Sequence, residues 1–522
     1  MKKRILACIF AAATLASLAS CGNGGGSSSS TSTASGESGE ESAAAEVTTV
    51  DYHYVNFGTI AETEPVDDVI NEHLESIGSD VRISLHMYDA ASYNTQMDLM
   101  ISSGDPVDLY IPLTGVSTNA AQGKLYDITD IAEANCPNAL EMTSDWLDTC
   151  TVDGRLYAIP VYKGAMLQNY LIVNKDMADE YGIDPSEYEG QPLSAIEPML
   201  QQIHEANPDI FPVVPLNANA YNFLDFFIGA TNGYKIDMLG DRTSTCTGCI
   251  VGDDMTVVNL YSTDAFRECC ELAYNWMQKG YLMPDTSTSP DSASTLMAAG
   301  RGFCTTGGYG NSPEMMETNS SLSGNANSSY YVCLEQPYMT TSTIGVTTCV
   351  GITSEHPEAA LRLLDLFYTD EFVINSILYG VEGRDYVKVT DQTIAFPEGV
   401  DSTNVSYDSN TTCGIIGSQF IQWGRNVDEE LLLADREFMQ TNIDNAVKSP
   451  AFGFSFDATS VRPQVSSVNN VITQYFNALT NGELDPSTMI DEFNTALEAA
   501  GLNDIIAEKQ AQLDAWAAAQ QS

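Results

Sequence analysis

Val50-Asp51-Tyr52-His53-Tyr54-Val55-Asn56-Phe57 is a β-rich, partly apolar run, and Gly58-Thr59 breaks it. The segments beyond that break decide the fold class. Pro65 suits a first helical turn, and Val66, Val69, Ile70, Leu74 and Ile77 recur at helical spacing until Gly78 stops the run. Val81, Ile83, Leu85 and Met87 then alternate as a half-buried strand. Tyr93 to Ile101 reads as a second helix, closed by Ser103-Gly104-Asp105-Pro106, and Val107 to Ile111 as a third strand. The order β-α-β-α-β implies parallel strands joined by right-handed crossovers. In such sheets ligands sit beyond the carboxyl ends of the strands, here the loops beginning Gly58-Thr59 and Leu113-Thr114-Gly115.

Further along, helices dominate. Glu358 to Phe367 gathers Ala360, Leu361, Leu363, Leu364 and Phe367 on one face, and Thr369-Asp370-Glu371 offers a cap for the next helix. Asp485-Pro486 is a cap plus first-turn proline, with Met489, Ile490, Phe493 and Leu497 as the buried stripe. Gly501 ends that helix, and a last one carries Ile505, Ile506, Leu513 and Trp516. These stripes are core, and the chain has no internal repeat.

Composition excludes several functions. Against 21 Lys+Arg stand 71 Asp+Glu, a formal net charge of −50, which repels nucleic acid and anionic lipid headgroups. Setting aside Cys8 and Cys21, the cysteines are Cys136, Cys150, Cys246, Cys249, Cys269, Cys270, Cys304, Cys333, Cys349 and Cys413. Cys136/Cys150 and Cys246/Cys249 are the nearest candidates for pairing, although small buried thiols are an equal reading. Cys246-Thr247-Gly248-Cys249 has no second pair at ribbon spacing, so no metal is expected. His53, His73, His86, His204 and His356 form no close metal pair, and neither a G-x-S-x-G elbow nor a phosphate loop is present. No cofactor is expected, and no enzyme, although a glycosidase needs only two carboxylates among many.

The N-terminus reads as an address. Lys2, Lys3 and Arg4 precede an apolar stretch, Ile5 to Leu18, too short to span a bilayer. The ending Leu18-Ala19-Ser20-Cys21 resembles the lipobox of bacterial lipoproteins. That resemblance implies that Cys21 becomes the first mature residue and carries a diacylglyceryl anchor on the outer face of the cell membrane. Gly22 to Glu46 is almost wholly Gly, Ser, Thr, Ala and Glu, a tether reaching on the order of 25–30 Å.

Three segments in order resemble the family 1 extracellular solute-binding proteins of ABC importers. They are Ser103-Gly104-Asp105-Pro106-Val107-Asp108-Leu109-Tyr110, then Gly154-Arg155-Leu156-Tyr157-Ala158-Ile159-Pro160 with Leu171-Ile172-Val173-Asn174-Lys175-Asp176, and Ala298-Ala299-Gly300-Arg301-Gly302-Phe303. His356-Pro357-Glu358-Ala359-Ala360 resembles a helix of the same family. Leu378 to Tyr386, Gly453 to Asp457 and the last helices are similar to its LplA-like branch, which has its own C-terminal domain. The resemblance implies an α/β, two-lobed fold of the periplasmic-binding-protein type II, each lobe a mixed sheet flanked by helices, with a helical C-terminal extension. It implies a signal peptide at 1–20 and a lipid-anchored linker at 21–47. Lobe one is expected at 48–161 with a return segment at 338–385, and lobe two at 162–337. The remainder, 386–522, is expected to complete lobe two and form the C-terminal helical domain.

The function that this resemblance implies is a receptor that captures a carbohydrate, expected to be an oligosaccharide, between its lobes and hands it to ABC permease subunits. A peptide receptor and a surface protein that binds or hydrolyses glycans are the alternatives. Sugars need aromatic faces for their C–H surfaces and amides or carboxylates for their hydroxyls. By position, Thr59 and Thr114 are expected to line lobe one, and Gln168 and Tyr170 to lie just past the lobe crossing. Asn219 and Tyr221 sit in a polar-aromatic loop, Tyr309 follows Gly307-Gly308, and Trp423 is the candidate for an opposite platform. The stretch from Gly164 to Tyr170 lacks the acidic residue that some maltose-type binders place there.

Overall fold

The first described element is a strand, β1 (Thr48–Asn56), whose Val50, Tyr52 and Tyr54 are fully buried. The computed structural model describes residues 47–60, 62–164, 168–217, 219–319, 328–336, 338–409 and 414–520. The expected leader, Cys21, nearly all of the linker and Cys413 lie outside them.

Helix α1 (Glu64–Ser76) has Pro65 in its first turn and buries Val66, Ile70 and Leu74 of the expected stripe, while Val69 is half-buried and Ile77, at the helix end, is exposed. Strand β2 (Val81–Asp89) pairs in parallel with β1 in continuous register, Val50 opposite Ile83. Helix α2 (Tyr93–Ser103) stops at Gly104, where φ is +82°, a conformation that costs glycine nothing. Strand β3 (Leu109–Tyr110) then joins β1 in parallel, completing the expected β-α-β-α-β unit. After β4 (Ala158–Pro160) the chain crosses to the second lobe.

That lobe is built on β5 (Gln168–Asn174), β6 (Phe211–Val213), β7 (Gly302–Tyr309) and β8 (Ser329–Glu335), in the order β8-β5-β7-β6. Between β6 and β7 lie a short helix, α3 (Asp225–Ile228), and a long one, α4 (Asp264–Gln278). The chain crosses back through 336–346 to β9 (Thr347–Val350), which pairs antiparallel with both β3 and β4. The first sheet is thus β2-β1-β3-β9-β4. Helices α5 (Pro357–Thr369) and α6 (Glu371–Tyr379) cover it, and Asp370 caps α6 by accepting from the amides of Phe372 and Val373.

The boundary expected at residue 385 moves. Tyr386, Ile394, Tyr407, Ile416 and Trp423 belong to the same buried core as β1 and α1, so the first lobe continues past residue 423. Pairing explains why. Thr59–Ile60 forms a two-residue ladder with Tyr407–Asp408, and the Tyr407 hydroxyl donates to Ile377 O at 2.8 Å. Helix α7 (Glu429–Asp444) then runs across the crossing, and α8 (Arg462–Thr480), α9 (Pro486–Ala499) and α10 (Leu502–Gln520) finish the second lobe. Their Val468, Ile472, Phe476, Ile490, Phe493 and Ile505 complete the core of β5 and α4.

The crossing has its own apolar knot. Trp146, Met339 and Ile344 pack together with Tyr162, Ile443 and Phe452, and the Trp146 and Tyr162 rings stack at 5.0 Å. Every body cysteine among the described residues is a free thiol, including Cys136, Cys150, Cys246 and Cys249. Burial pushes the Cys136 and Cys150 thiols up to about 12, as for small apolar core residues. Among the described residues, no helix is long and apolar enough to cross a membrane.

Candidate functional site

Where the second crossing leaves lobe two, a cavity of about 390 Å³ opens. Its polar wall is Asn169, Asn222, Asp225, Gln336 and Thr340, with Tyr338 beside them. Leu216, Ile228, Ile236 and Met238 supply the apolar wall. Amides and one carboxylate over an apolar surface suit a ligand with hydroxyl edges and C–H faces.

The chain builds this wall from four separate segments. Asn169, on β5, donates from Nδ2 to Asp225 O at 2.8 Å, clamping α3 against the sheet. Asn222 takes a positive φ of 58°, which an asparagine tolerates, and its carbonyl accepts from Asp225 N at 3.2 Å. Gly229 lies so close to Glu335 that a Cβ there would stand 2.3 Å from the Glu335 Cγ. Glu335 is 1% exposed and accepts from Asn232 N at 2.8 Å, fixing the loop after α3. Asp225 lines the cavity half-buried, and burial pushes its carboxyl up to about 6.

On lobe one, the carboxyl ends of β1 and β3 carry Phe57 and Leu113, which are 54% and 43% exposed. Two large apolar side chains left open at parallel strand ends stand where open α/β sheets receive ligands. Beside them Thr114 is exposed and its Oγ1 accepts from Asn119 Nδ2 at 2.8 Å. The backbone of Thr59 pairs with Asp408.

The other expected residues divide sharply. In the β5–β7 ladder Gln168 is opposite Tyr309, Asn169 opposite Gly308 and Tyr170 opposite Gly307. Opposed residues share a face and neighbours alternate. Asn169 and Gly308 therefore line the cavity, while Gln168, Tyr170 and Tyr309 point to the other side of the sheet. There Tyr170 is fully buried with Tyr331, and its hydroxyl donates to Gln168 Oε1 and Asn311 O, each at 3.1 Å. Tyr309 is half-buried, 6.0 Å from the Tyr331 ring, and burial pushes its hydroxyl up to about 12.

Tyr221 is core, not wall. It is 1% exposed, stacks on Phe223 at 4.9 Å, and its hydroxyl accepts from Met283 N at 2.9 Å. Asn219 is exposed, but its carbonyl and Oδ1 accept from Asn481 and Asn477 at the end of α8. Trp423 is 6% exposed, with Tyr386 against it and the Lys388 ammonium 3.2 Å above its ring centroid. That cation occupies the face a sugar would need. Phe57, Asn169, Asn222, Asp225, Gln336 and Thr340 are not marked out by sequence position. Their one signal there is the run of asparagines through 217–222 and the aromatic just before Gly58. Among the described residues, no group of three or more His, Cys, Asp or Glu side chains is arranged to hold a metal ion.

Residues 450–518 match the model of a domain of unknown function, DUF3502. A carbohydrate ABC transporter substrate-binding protein of Streptococcus pneumoniae serotype 4 is 24% identical over 451 residues, covering 84% of this chain and 85% of that protein. The N-glycan transport solute binding protein NgtS from Streptococcus pneumoniae superposes with a TM-score of 0.71 at 21% identity, over 90% of this chain and 99% of NgtS. With Man1GlcNAc or Man5GlcNAc bound to NgtS, the TM-scores are 0.62 and 0.59. An HMO-binding, ABC-transporter-associated solute binding protein from Bifidobacterium longum infantis gives 0.62 at 14% identity, over 90% of this chain and 99% of that one. The chain thus shares the fold of these solute-binding proteins, and its residues 450–518 match DUF3502.

Proposed function

We propose that this protein is the binding receptor of an ABC importer, capturing an oligosaccharide between its lobes and delivering it to membrane permease subunits without transforming it. The cavity carries this reading: amides and a carboxylate are set over an apolar wall on lobe two, and lobe one leaves an aromatic, Phe57, exposed at a strand end. Of the three NgtS structures, the one without a named saccharide has the highest TM-score, which supports reading the present lobe arrangement as the ligand-free one. Lipidation at Cys21 would hold the body at the outer face of the cell membrane.

A thermal-shift panel tests the receptor. Neutral mono- and oligosaccharides and short peptides are offered to the protein, since a ligand of the folded state raises its apparent stability. Stabilisation by an oligosaccharide recovered intact supports the reading. Stabilisation by peptides alone, or recovery of cleaved sugar, overturns it. For the anchor, incorporation of labelled fatty acid should disappear in Cys21→Ser, and labelling that persists would reject it.

A further inference from the structure

The cavity wall is chemically lopsided. Its charged member is Asp225, and no lysine, arginine or histidine among the described residues lines the cavity. Among the described residues, none donates a hydrogen bond to the Asp225 carboxylate. Its neighbour Asn169 binds the Asp225 carbonyl instead, which fixes the backbone and leaves the carboxylate to the cavity. The ionisable groups around it are the Cys269 thiol from α4, pushed up by burial and in part by Asp225, the Tyr338 hydroxyl on the same cavity wall, pushed up by burial, and the Glu335 carboxyl behind Gly229, pushed up by burial while its oxygens accept from loop amides.

Resting on the receptor reading above, we propose that Asp225 makes this cavity a subsite for an uncharged sugar ring bearing a free vicinal diol, and that it rejects sugars carrying a carboxylate, sialate or phosphate. A carboxylate is acceptor-only, with two oxygens spaced to take two parallel O–H donors, as adjacent ring hydroxyls provide. Asn169, Asn222 and Gln336 both donate and accept, so they pair the remaining hydroxyl and ring oxygens. An anionic sugar would bring a second negative charge beside Asp225, with no cation on the cavity wall to balance it. The acid missing from 164–170 is thereby supplied from another part of the chain, by α3, whose Asp225 carbonyl Asn169 holds.

The proposal has a pH signature. The diol binds the ionised carboxylate, and burial holds that carboxyl at about 6. Affinity is therefore full above about pH 7 and falls as pH drops through about 6, where the acid takes a proton and loses acceptor capacity.

Calorimetric titrations test it with Man5GlcNAc and lacto-N-tetraose as neutral probes, and 3′-sialyllactose and trigalacturonate as anionic ones. At about pH 7.5 the wild type should bind at least one neutral probe and neither anionic one, and should lose roughly fivefold or more in affinity by about pH 5. Asp225→Asn should fold normally, bind the neutral probe roughly tenfold more weakly, and show a flat pH profile. Asp225→Glu should also weaken binding while keeping the pH dependence, which guards against a fold artefact. Anionic probes binding the wild type as tightly as neutral ones, or Asp225→Asn leaving affinity and pH profile unchanged, would overturn the assignment. If no saccharide binds the wild type, the receptor reading fails first and takes the subsite with it.

Discussion

Asp435 and Arg436 are adjacent on α7 and hold opposite lobes. The buried Asp435 carboxylate accepts from Asn311 Nδ2 at 2.7 Å and Ser312 N at 2.6 Å, just past the end of β7 in lobe two. Arg436 donates to Gln422 O at 2.6 Å and Gln392 Oε1 at 2.8 Å, both in lobe one. The helix is a strap across the crossing, pinned at one turn to both halves of the molecule.

Asp435→Ala should lower unfolding free energy by about 2–4 kcal/mol, because a buried amide and a side-chain donor lose a charged acceptor. Urea denaturation measures the loss. Spin labels placed one in each lobe should report a broader distance distribution, and an unchanged distribution would leave the strap without influence on lobe geometry.

Gly164 sits under the same helix. A Cβ there would meet the Met439 Sδ at 2.3 Å, well inside contact distance. Gly164→Ala should therefore cost about 1–3 kcal/mol through overpacking. In a double-mutant cycle with Met439→Ala the two effects should fall short of additive by about 1 kcal/mol or more. Simple additivity would mean that the methionine swings clear unaided.

Asp67 gives a pH test of stability. Burial pushes its carboxyl up to about 7, while its oxygens accept from the edge amide of Leu85 at 3.2 and 3.3 Å. Between the ordinary carboxylate range and about pH 7 the folded state holds a proton that the unfolded chain has released. Stability contributed by Asp67 thus falls as pH rises through that window. Asp67→Asn keeps an acceptor and removes the charge, so it should raise Tm at about pH 8 by a few degrees and leave Tm at about pH 4 unchanged. Melting curves at the two values decide it, and an equal shift at both would exclude the titration.

Lys509 ties the DUF3502 helices down. It is fully buried and donates to Asp241 Oδ2 at 2.7 Å and Gly248 O at 3.2 Å. Lys509→Ala should cost about 3 kcal/mol, the low end for breaking a buried pair, since Asp241 keeps some solvent contact and the bonds from Thr247. Limited proteolysis should then cut α10 first. Cleavage elsewhere would show that the last helix docks by packing alone.

The periodicities in the sequence survive folding because each is a local consequence of burial. Val66, Ile70 and Leu74 recur at helical spacing and pack inward, and Val81, Ile83 and Leu85 alternate and pack inward. The crossing segments and closing helices are equally legible. The candidate wall is not. Gln168 and Tyr170 stand at the right distance past the crossing, yet the cavity takes the residue between them, because a strand turns its side chains over at every step.

By itself the sequence determined the order of strands and helices, the charge that excludes nucleic acid and the amphipathic stripes that build two cores, since these depend on composition and on neighbours a few residues apart. Tertiary structure alone decided the lobe-one boundary beyond Trp423, the cover of Lys388 on that tryptophan and the meeting of Asn169 with Asp225 and Gln336. Each of those joins residues far apart in the chain, and only the packed fold sets which of their faces meet.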